Sequence, residues 1–278
     1  MTTLARKRRL TNVFNLLLNL PLLIVILLPL LYTLSISLMP PSEIYKNHLI
    51  PTSINFNNYV KAFTNPASSF LTFIRNSFIV STTVMLGQML TCSMAAFAFS
   101  FLDFRGKKLL FILVLATMMV PGEATIIANY LTISRWGWLD TFRALIIPYL
   151  TSAMGIFLLR QSYLAFAKEL HEAARIDGCS NPRFMASIVV PLSRPALGAL
   201  GAYVFLNTWN QYMWPLLVTN SANYRTVQIG ISMLYDIDAE SLGLMMAGVV
   251  IVIVPSLSIF IFMQKQLING LMAGAVKG

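Results

Sequence analysis

The stretch Glu172-Ala173-Ala174-Arg175-Ile176-Asp177-Gly178 is followed, after nine further residues, by Ile188-Val189-Val190-Pro191. Residues 165–176 are mostly good helix formers, and Gly178 is expected to end their helix because glycine adopts the left-handed C′ conformation without a Cβ penalty. Asn181 is expected to cap a second helix, which begins at Pro182, runs to about Val189 and stops at Pro191. The stretch therefore predicts a compact helix, turn, helix hairpin in a polar loop.

The composition of the rest of the chain is that of a membrane protein. Hydrophobic residues make up 57% of the 278 residues and charged residues 11%, whereas soluble domains carry about 25% charged residues. A hydrocarbon core of about 30 Å requires about 20 apolar residues in a helix. Six segments have or approach that length, namely 13–38, 73–102, 109–128, 144–159, 195–217 and 242–263.

These segments predict an all-α polytopic membrane protein with six transmembrane helices. We expect one transmembrane domain over residues 1–278, with its core at about 73–263. Pro21, Pro29 and Pro121 lie inside predicted helices and are expected to kink them without breaking them, because neighbouring helices can satisfy the freed carbonyls.

Positive charge predicts the orientation in the membrane. The basic run from Arg6 to Arg9 imitates the start of a signal peptide, but the apolar segment after it is too long, so we expect a retained helix. With this N-terminus inside, 14 of the 20 Lys and Arg residues face the cytoplasm, as the positive-inside rule requires. The loop 39–72 then lies outside, and the hairpin loop 160–194 and both termini lie in the cytoplasm.

The remaining residues predict neither catalysis nor nucleic-acid binding. The phosphate-binding pattern G-x-x-x-x-G-K-[ST] does not occur in the sequence, so the chain is not expected to use ATP by itself. The net charge of +10 is attributed to topology and anionic lipid, because no basic helix carries interleaved aromatic residues. Cys92 falls in an apolar segment and Cys179 in the cytoplasmic loop, so neither a disulfide nor a metal site is expected.

The hairpin resembles the signature loop of the permease subunits of binding-protein-dependent ABC importers, in which EAA is followed after three residues by glycine and after nine more by I-x-L-P. The match is complete except for Val190 in place of leucine. The resemblance implies a coupling helix that sits in a cleft of an ATP-binding subunit, with Glu172 as its glutamate and Gly178 as its hinge glycine. The coupling residues that it assigns are Glu172, Ala173, Ala174, Asp177, Gly178 and Pro191.

Three further runs are similar to the second permease subunit of the sugar and glycerol-3-phosphate importers. They are residues 209–216 (WNQYMWPL), 225–230 (RTVQIG) and 270–278 (GLMAGAVKG). This resemblance covers nearly the whole chain, and it also includes the pair Asn76-Ser77 after the first external loop. It implies the type I (MetI-like) ABC importer permease fold in a bacterial cell membrane.

The resemblance also implies the partners and the solute. The expected partners are a homologous second permease subunit, two ATP-binding subunits that hold the ATP and Mg, an extracytoplasmic solute-binding protein and the lipid bilayer. No cofactor is expected on this chain itself. The binding protein is expected to dock on loop 39–72, and the alternative for this loop is a plain connector. The solute class is a carbohydrate or a polyol phosphate. The triplet Asn-Gln-Tyr at 210–212 and the run Arg-Thr-Val-Gln at 225–228 most resemble the glycerol-3-phosphate importers, with a mono- or oligosaccharide as the alternative solute.

Near the outer end of the fifth segment, aromatic rings that can stack on a sugar or polyol lie among amides that can bind its hydroxyls. These candidates for the solute pathway are Asn207, Trp209, Asn210, Gln211, Tyr212 and Trp214. The same aromatic residues are consistent with an interfacial belt or with packing. Glu123, just after Pro121, is an acid expected near membrane depth and is therefore a gate or pathway candidate, unless it lies at the interface.

Other functions remain open at this point. The hairpin has an alternative interpretation as an amphipathic segment on lipid headgroups. A channel or ion-driven secondary transporter would require intramembrane ion ligands or an inverted repeat, and a lipid-modifying enzyme would require a catalytic cluster at the interface. None of these features is evident in the sequence.

Overall fold

The structure is a computed structural model that describes residues 2–272 apart from 45, 47, 65–69, 167 and 236–241. Every regular element within these described residues is a helix. The α-helices are α1 Thr2–Ser37, α2 Pro41–Ile44, α3 Asn57–Thr64, α4 Phe70–Phe101, α5 Lys107–Ala116, α6 Gly122–Arg135, α7 Phe142–Ile146, α8 Ala153–Leu164, α9 Lys168–Ile176, α10 Asn181–Phe184, α11 Val190–Leu192, α12 Arg194–Trp209, α13 Met213–Val218, α14 Val227–Tyr235 and α15 Leu242–Met272. The end of the third run, 273–278, lies outside the described residues.

By length and composition, these helices supply up to six membrane crossings. The ranges Asn19–Ser37, Phe70–Phe101 and Leu242–Phe262 are long and apolar enough alone. Three more candidates are bent helix pairs, namely Lys107–Met119 with Gly122–Arg135 at 98°, Phe142–Tyr149 with Ala153–Leu164 at 41°, and Asn181–Leu192 with Arg194–Trp209 at 80°. The all-α membrane fold is therefore confirmed, with up to six transmembrane segments. The third, fourth and fifth of them are bent, and their bounds differ from the predicted ones.

Two compact units divide the chain, one formed by Met1–Ser68 and Ile231–Ile253 and the other by Ser69–Gly230 and Val254–Gly278. In the larger unit, α4 packs along α8 and α12. Small residues permit this close approach. A Cβ on Gly155 of α8 would lie 2.8 Å from Cys92 Sγ on α4, and one on Gly201 of α12 would lie 3.3 Å from Met89 Sδ.

Polar residues in α4 stabilise a helix break opposite them. The side chain of Gln88 is buried; its Nε2 donates to the carbonyl of Tyr149 at 2.8 Å and its Oε1 accepts from Ser152 Oγ at 2.8 Å. Ser152 in turn caps α8 by accepting from the backbone amide of Gly155 at 3.1 Å. The break between α7 and α8 therefore has its free backbone groups satisfied within the protein, as membrane burial requires.

In the smaller unit, the side chain of Asn58 joins α3 to the end of α1. Its Nδ2 donates to the carbonyls of Ser37 at 3.0 Å and Met39 at 3.1 Å. Ser37 is the last residue of α1 and Met39 follows it, so neither carbonyl has a partner within that helix. Nearby, the hydroxyl and backbone amide of Thr52 donate to the carboxylate of Glu43. These hydrogen bonds hold the pKa of Glu43 below its ordinary value. The first part of loop 39–72 is thus an ordered segment.

Candidate functional site

The first half of the hairpin is a short helix closed by a glycine turn. Helix α9 ends at Ile176, and Gly178 has φ +74°. The amide of Gly178 donates to the carbonyl of Arg175 at 3.0 Å, and the amide of Cys179 donates to that of Ala174 at 2.9 Å. This pair of bonds is the Schellman motif, so the predicted role of Gly178 in ending the helix is confirmed.

The second half differs from the prediction in two details. Ser180, not Asn181, holds the N-cap position, and its side chain makes no capping hydrogen bond. The helix also does not stop at Pro191, because a π-helical turn over Met185–Val189 leads into α11, which contains Pro191 and ends at Leu192. Such wide turns accommodate residues that an ideal α-helix would reject. Ser193 then closes the segment by donating from Oγ to the carbonyl of Val189 at 2.6 Å.

The predicted coupling residues lie on two different surfaces of this hairpin. Glu172, Ala173 and Asp177 are exposed, Ala174 is buried and Pro191 is half-buried. Among the described residues, neither carboxylate has a hydrogen-bond or ion-pair partner. The side chain of Ile176 is 86% exposed. The hairpin thus presents two carboxylates and an apolar side chain to its surroundings, which suits docking of a basic, partly apolar surface.

At the C-terminal end of α12, the predicted fifth transmembrane segment is interrupted. Helix α12 ends at Trp209 and α13 begins at Met213. The backbone of residues 210–212 between them is not helical. From Arg194 to Trp209 the helix rises only about 24 Å, less than the bilayer core of about 30 Å. Within the hydrocarbon core of a membrane, non-helical backbone is tolerated only where it is buried in protein or lines a water-filled cavity.

The two tryptophans of this region are core residues. Trp209 is 1% exposed and lies stacked on Phe205, with ring centroids 5.8 Å apart. Trp214 is 2% exposed, and its Nε1 donates to the carbonyl of Ala144 at 3.0 Å. Their burial within the chain favours packing over solute contact at these two positions.

The polar candidates beside them are more accessible. Asn207, Asn210 and Tyr212 are exposed and Gln211 is half-buried. The Oδ1 of Asn210 accepts from Gln228 Nε2 at 3.3 Å, so the interruption of the fifth segment also contacts α14. A role of these four residues in the solute pathway stays a prediction.

Glu123 lies at the sharpest of the three bends within the candidate membrane crossings of the described residues. It is exposed in the first turn of α6, immediately after the 98° break at Pro121. The extended backbone of Pro121, with φ −59° and ψ 132°, is a break and not the mild kink expected from the sequence. Among the described residues, no hydrogen bond or ion pair joins Glu123 to the residues of the interrupted fifth segment.

The sequence singled out Asn76-Ser77 only through a family resemblance, and it did not predict that these residues hold the segment 219–227. Buried Asn76 donates from Nδ2 to the carbonyls of Asn223 at 2.8 Å and Arg225 at 3.0 Å. Next to it, Ser77 Oγ accepts from the amide of Val227 at 2.8 Å. The polar residues within the otherwise apolar helix α4 were a signal in the sequence that they have buried partners. The partners could not be identified, because they are about 150 residues away in the chain.

Asp140 is the third residue that holds this segment. Its Oδ1 accepts from the amides of Asn220 and Ser221, each at 2.9 Å. Burial pushes the pKa of Asp140 upward, but these backbone bonds, the Ser221 hydroxyl and nearby Arg225 outweigh it, so the pKa lies below its ordinary value. The carboxylate therefore stabilises the turn in its charged form.

Comparisons with known proteins agree with this geometry. Residues 87–266 match the family described as binding-protein-dependent transport system inner membrane component. An arabinooligosaccharides transport system permease protein of Halalkalibacterium halodurans is 33% identical, over 90% of this chain and 91% of that protein. An sn-glycerol-3-phosphate transport system permease protein of Brucella suis is 34% identical, over 90% and 92%.

Two further comparisons extend this agreement. A trehalose/maltose transport system permease protein of Thermococcus litoralis is 32% identical, over 92% of this chain and 93% of that protein. One chain of a bacterial ABC transporter involved in the import of the acidic polysaccharide alginate superposes with a TM-score of 0.83 at 21% identity, covering 94% of this chain and 97% of that one. The solved structure therefore shares the fold.

Proposed function

The chain belongs to the inner membrane components of binding-protein-dependent transport systems, and from this membership we propose that it is a permease subunit of an ATP-driven sugar importer. In this proposal, it works with a homologous second permease subunit, two ATP-binding subunits and an extracytoplasmic solute-binding protein. The ATP and Mg are held by the ATP-binding subunits. Solute crosses by alternating access between the two permease subunits.

The observation that carries this proposal is the exposed face of the hairpin. Glu172 and Asp177 project from a helix whose turn is closed by a Schellman motif, while Ala174 on the same helix is buried against the protein. A rigid element with one face attached and one face free is suited to transmit movement from a neighbouring subunit. Closure of the ATP-binding subunits would displace this face. The packed interface between the two permease subunits, which has two stable arrangements, would convert the displacement into opening of the solute pathway.

The proposed solute pathway includes the interruption of the fifth segment. Exposed Asn207, Asn210 and Tyr212 offer amide and hydroxyl groups to solute hydroxyls, and non-helical backbone at this depth suits the wall of a wet cavity. Gln211, which is half-buried, would hold one side of that wall. Glu123 is retained as a gate candidate because it follows a 98° bend.

The solute is proposed as a carbohydrate or a polyol phosphate. Relatives named for sn-glycerol 3-phosphate and for arabinooligosaccharides are 34% and 33% identical, so identity alone does not separate the two classes. We favour glycerol 3-phosphate on the triplet Asn210-Gln211-Tyr212, with an oligosaccharide as the alternative. A thermal-shift screen of the cognate binding protein against glycerol 3-phosphate, maltose, trehalose and arabinooligosaccharides distinguishes them, since only the true solute should raise its unfolding temperature.

The proposed orientation places both termini and the hairpin on the cytoplasmic side of a bacterial cell membrane. The support is the charge bias, since 14 of 20 Lys and Arg then lie inside, as expected of a multi-pass protein. In this orientation the segment 219–227 and loop 39–72 face the solute-binding protein.

The substitution Glu172→Lys tests the coupling role. A reversed charge at the docking face is expected to weaken association with the ATP-binding subunit by about 30-fold or more, because disrupting a close interfacial charge pair costs about 2 kcal/mol or more. The measurement is the amount of ATP-binding subunit that co-purifies with the membrane complex at increasing dilution.

Glu169→Lys is the matched control, since it makes the same charge change at another exposed position of α9. It should leave co-purification near the unsubstituted level. If Glu172→Lys and Glu169→Lys retain the subunit equally well, the hairpin face is not the docking surface.

A further inference from the structure

A cluster of aromatic side chains attaches the hairpin to the inner end of α4. Phe184 of α10 is 1% exposed and lies edge-on to Phe101 of α4, with centroids 5.4 Å apart. Its ring also lies 6.3 Å from that of Phe97. Aromatic pairs at such separations contribute energy beyond their buried area. We call Phe97, Phe101, His171 and Phe184 the anchor cluster.

His171 connects the two halves of the hairpin within this cluster. Its ring lies 4.8 Å from that of Phe184 and 5.3 Å from that of Phe101. Its Nε2 lies 3.3 Å from Asn181 Oδ1. Because an amide oxygen only accepts, the imidazole is the donor in this contact. His171 on α9 thus touches α4 through its ring and the start of α10 through its nitrogen.

The same end of α4 is linked to two other helices. Arg160 of α8 donates from Nε to the carbonyl of Phe99 at 3.3 Å, and its guanidinium carbon lies 4.0 Å from the ring centroid of Phe111 on α5. Lys107, the first residue of α5, donates to the carbonyl of Leu102 at 2.7 Å. The last carbonyls of a helix have no partner within the helix and interact favourably with cations. Through these two bonds, a movement of α4 would also displace α5 and α8.

We propose that His171 is a positioning residue that makes the hairpin and α4 move as one body. The inference rests on the proposed function, because it needs a force applied to the exposed face of α9. Glu172 and Asp177 receive that force on α9 and its turn, whereas the buried contact with α4 is made chiefly by Phe184 on α10. The His171 to Asn181 bond adds a side-chain tie between α9 and α10, and the ring of His171 adds a direct contact with Phe101 of α4.

The test follows the distance between the hairpin and α4 in the intact transporter complex. Spin labels are attached to Cys179, which is half-buried in the turn, and to Asp103→Cys, which replaces an exposed residue two positions after α4. Cys92 is buried and shielded from the reagent. The distance distribution is measured by pulsed electron paramagnetic resonance without nucleotide and after trapping with ATP, Mg and vanadate.

With native His171, we expect one narrow distribution that trapping leaves unchanged. In His171→Ala, the distribution should broaden and shift on trapping, because the hairpin moves without α4. His171→Gln restores an N–H donor towards Asn181 and should return the distribution close to the native one. Arg183→Ala, an exposed position on α10, is the matched control and should behave like the unsubstituted protein.

A trapping-dependent shift in the unsubstituted protein, or an unchanged distribution in His171→Ala, would overturn the proposal. Failure of the proposed function itself has a separate signature. In that case a cross-linker on Cys179 would capture no ATP-binding subunit, whatever residue stands at 171.

Discussion

At the scale of single residues, Asp140 combines an unusual backbone with two specific hydrogen bonds. Its φ is 57°, and among the non-glycine residues that the structure describes it alone has a positive φ. Its amide donates to the carbonyl of Val218 at 2.7 Å, while its carboxylate accepts from the amides of Asn220 and Ser221. Asp and Asn tolerate this conformation better than other residues, so the position requires both their backbone tolerance and an acceptor.

The lowered pKa of Asp140 gives a prediction with a definite sign. A carboxyl whose pKa is depressed on folding contributes stability above its unfolded value of about 3.9, and this contribution is lost as the pH falls through the lower folded value. Asp140→Asn should therefore lower the free energy of unfolding at pH 7 by about 1 kcal/mol, discounted for solvent exposure. The difference should be smaller at pH 3, below the unfolded value, than at pH 7, as measured by unfolding midpoints of the two proteins.

Asp140→Ala provides the comparison for the backbone. It should be less stable than Asp140→Asn at both pH values, because a left-handed conformation costs alanine about 1 kcal/mol whatever the charge. Equal stability of the two variants would show that the φ of residue 140 does not matter.

Residue roles were predictable from the sequence where they depend on neighbours in the chain. Gly178 was correctly expected to end α9, because its turn involves only residues within about five positions. The role of Asp140 depends on residues about 80 positions away, which no local pattern reveals. Trp209 and Trp214 were recognised as notable, but the direction of each ring depends on the packing of α12 and α13 and was not predictable.

At the scale of helices, the backbone conformation, and not the available space, limits which residues can replace the glycine in the turn of the hairpin. Gly178 has φ +74°, and a Cβ there would meet nothing within 4 Å. Gly230 is the opposite case, since its Cβ would lie 2.5 Å from the ring of buried Phe73. Alanine is therefore unfavourable at both positions for different reasons.

Gly178→Ala should loosen the turn without unfolding the protein. The left-handed backbone costs alanine about 1 kcal/mol, which corresponds to about five-fold more frequent opening. Hydrogen exchange of the Cys179 amide, which bonds to the carbonyl of Ala174, should quicken by that factor. Gly178→Asn should exchange nearly as slowly as the native protein, and equally fast exchange in both variants would show that tolerance of a positive φ at residue 178 does not set the opening rate.

Helix number was predictable from hydropathy, whereas the breaks were not. The lengths of the apolar stretches alone indicated six segments, because the thickness of the bilayer sets the number of apolar residues that a crossing helix needs. The 98° bend at Pro121 and the interruption at residues 210–212 depend on neighbours that satisfy the free backbone groups. Gln88 provides such a neighbour for the break before α8, and its pairing with that break is a tertiary contact.

At the scale of the whole molecule, the distribution of charge gives the last prediction. The proposed orientation leaves 6 of the 20 Lys and Arg outside, which agrees with the retention of basic loops in the cytoplasm. Cys179 in the hairpin turn should then react with a membrane-impermeant maleimide only in inside-out vesicles. Asn220→Cys, in the exposed part of segment 219–227, should react only in right-side-out vesicles, in a protein whose Cys179 is replaced by serine. Cys92 is buried and gives the background in both preparations. Modification of Cys179 from the outside would reverse the orientation and separate the hairpin from cytoplasmic ATP, and the proposed coupling would then be untenable.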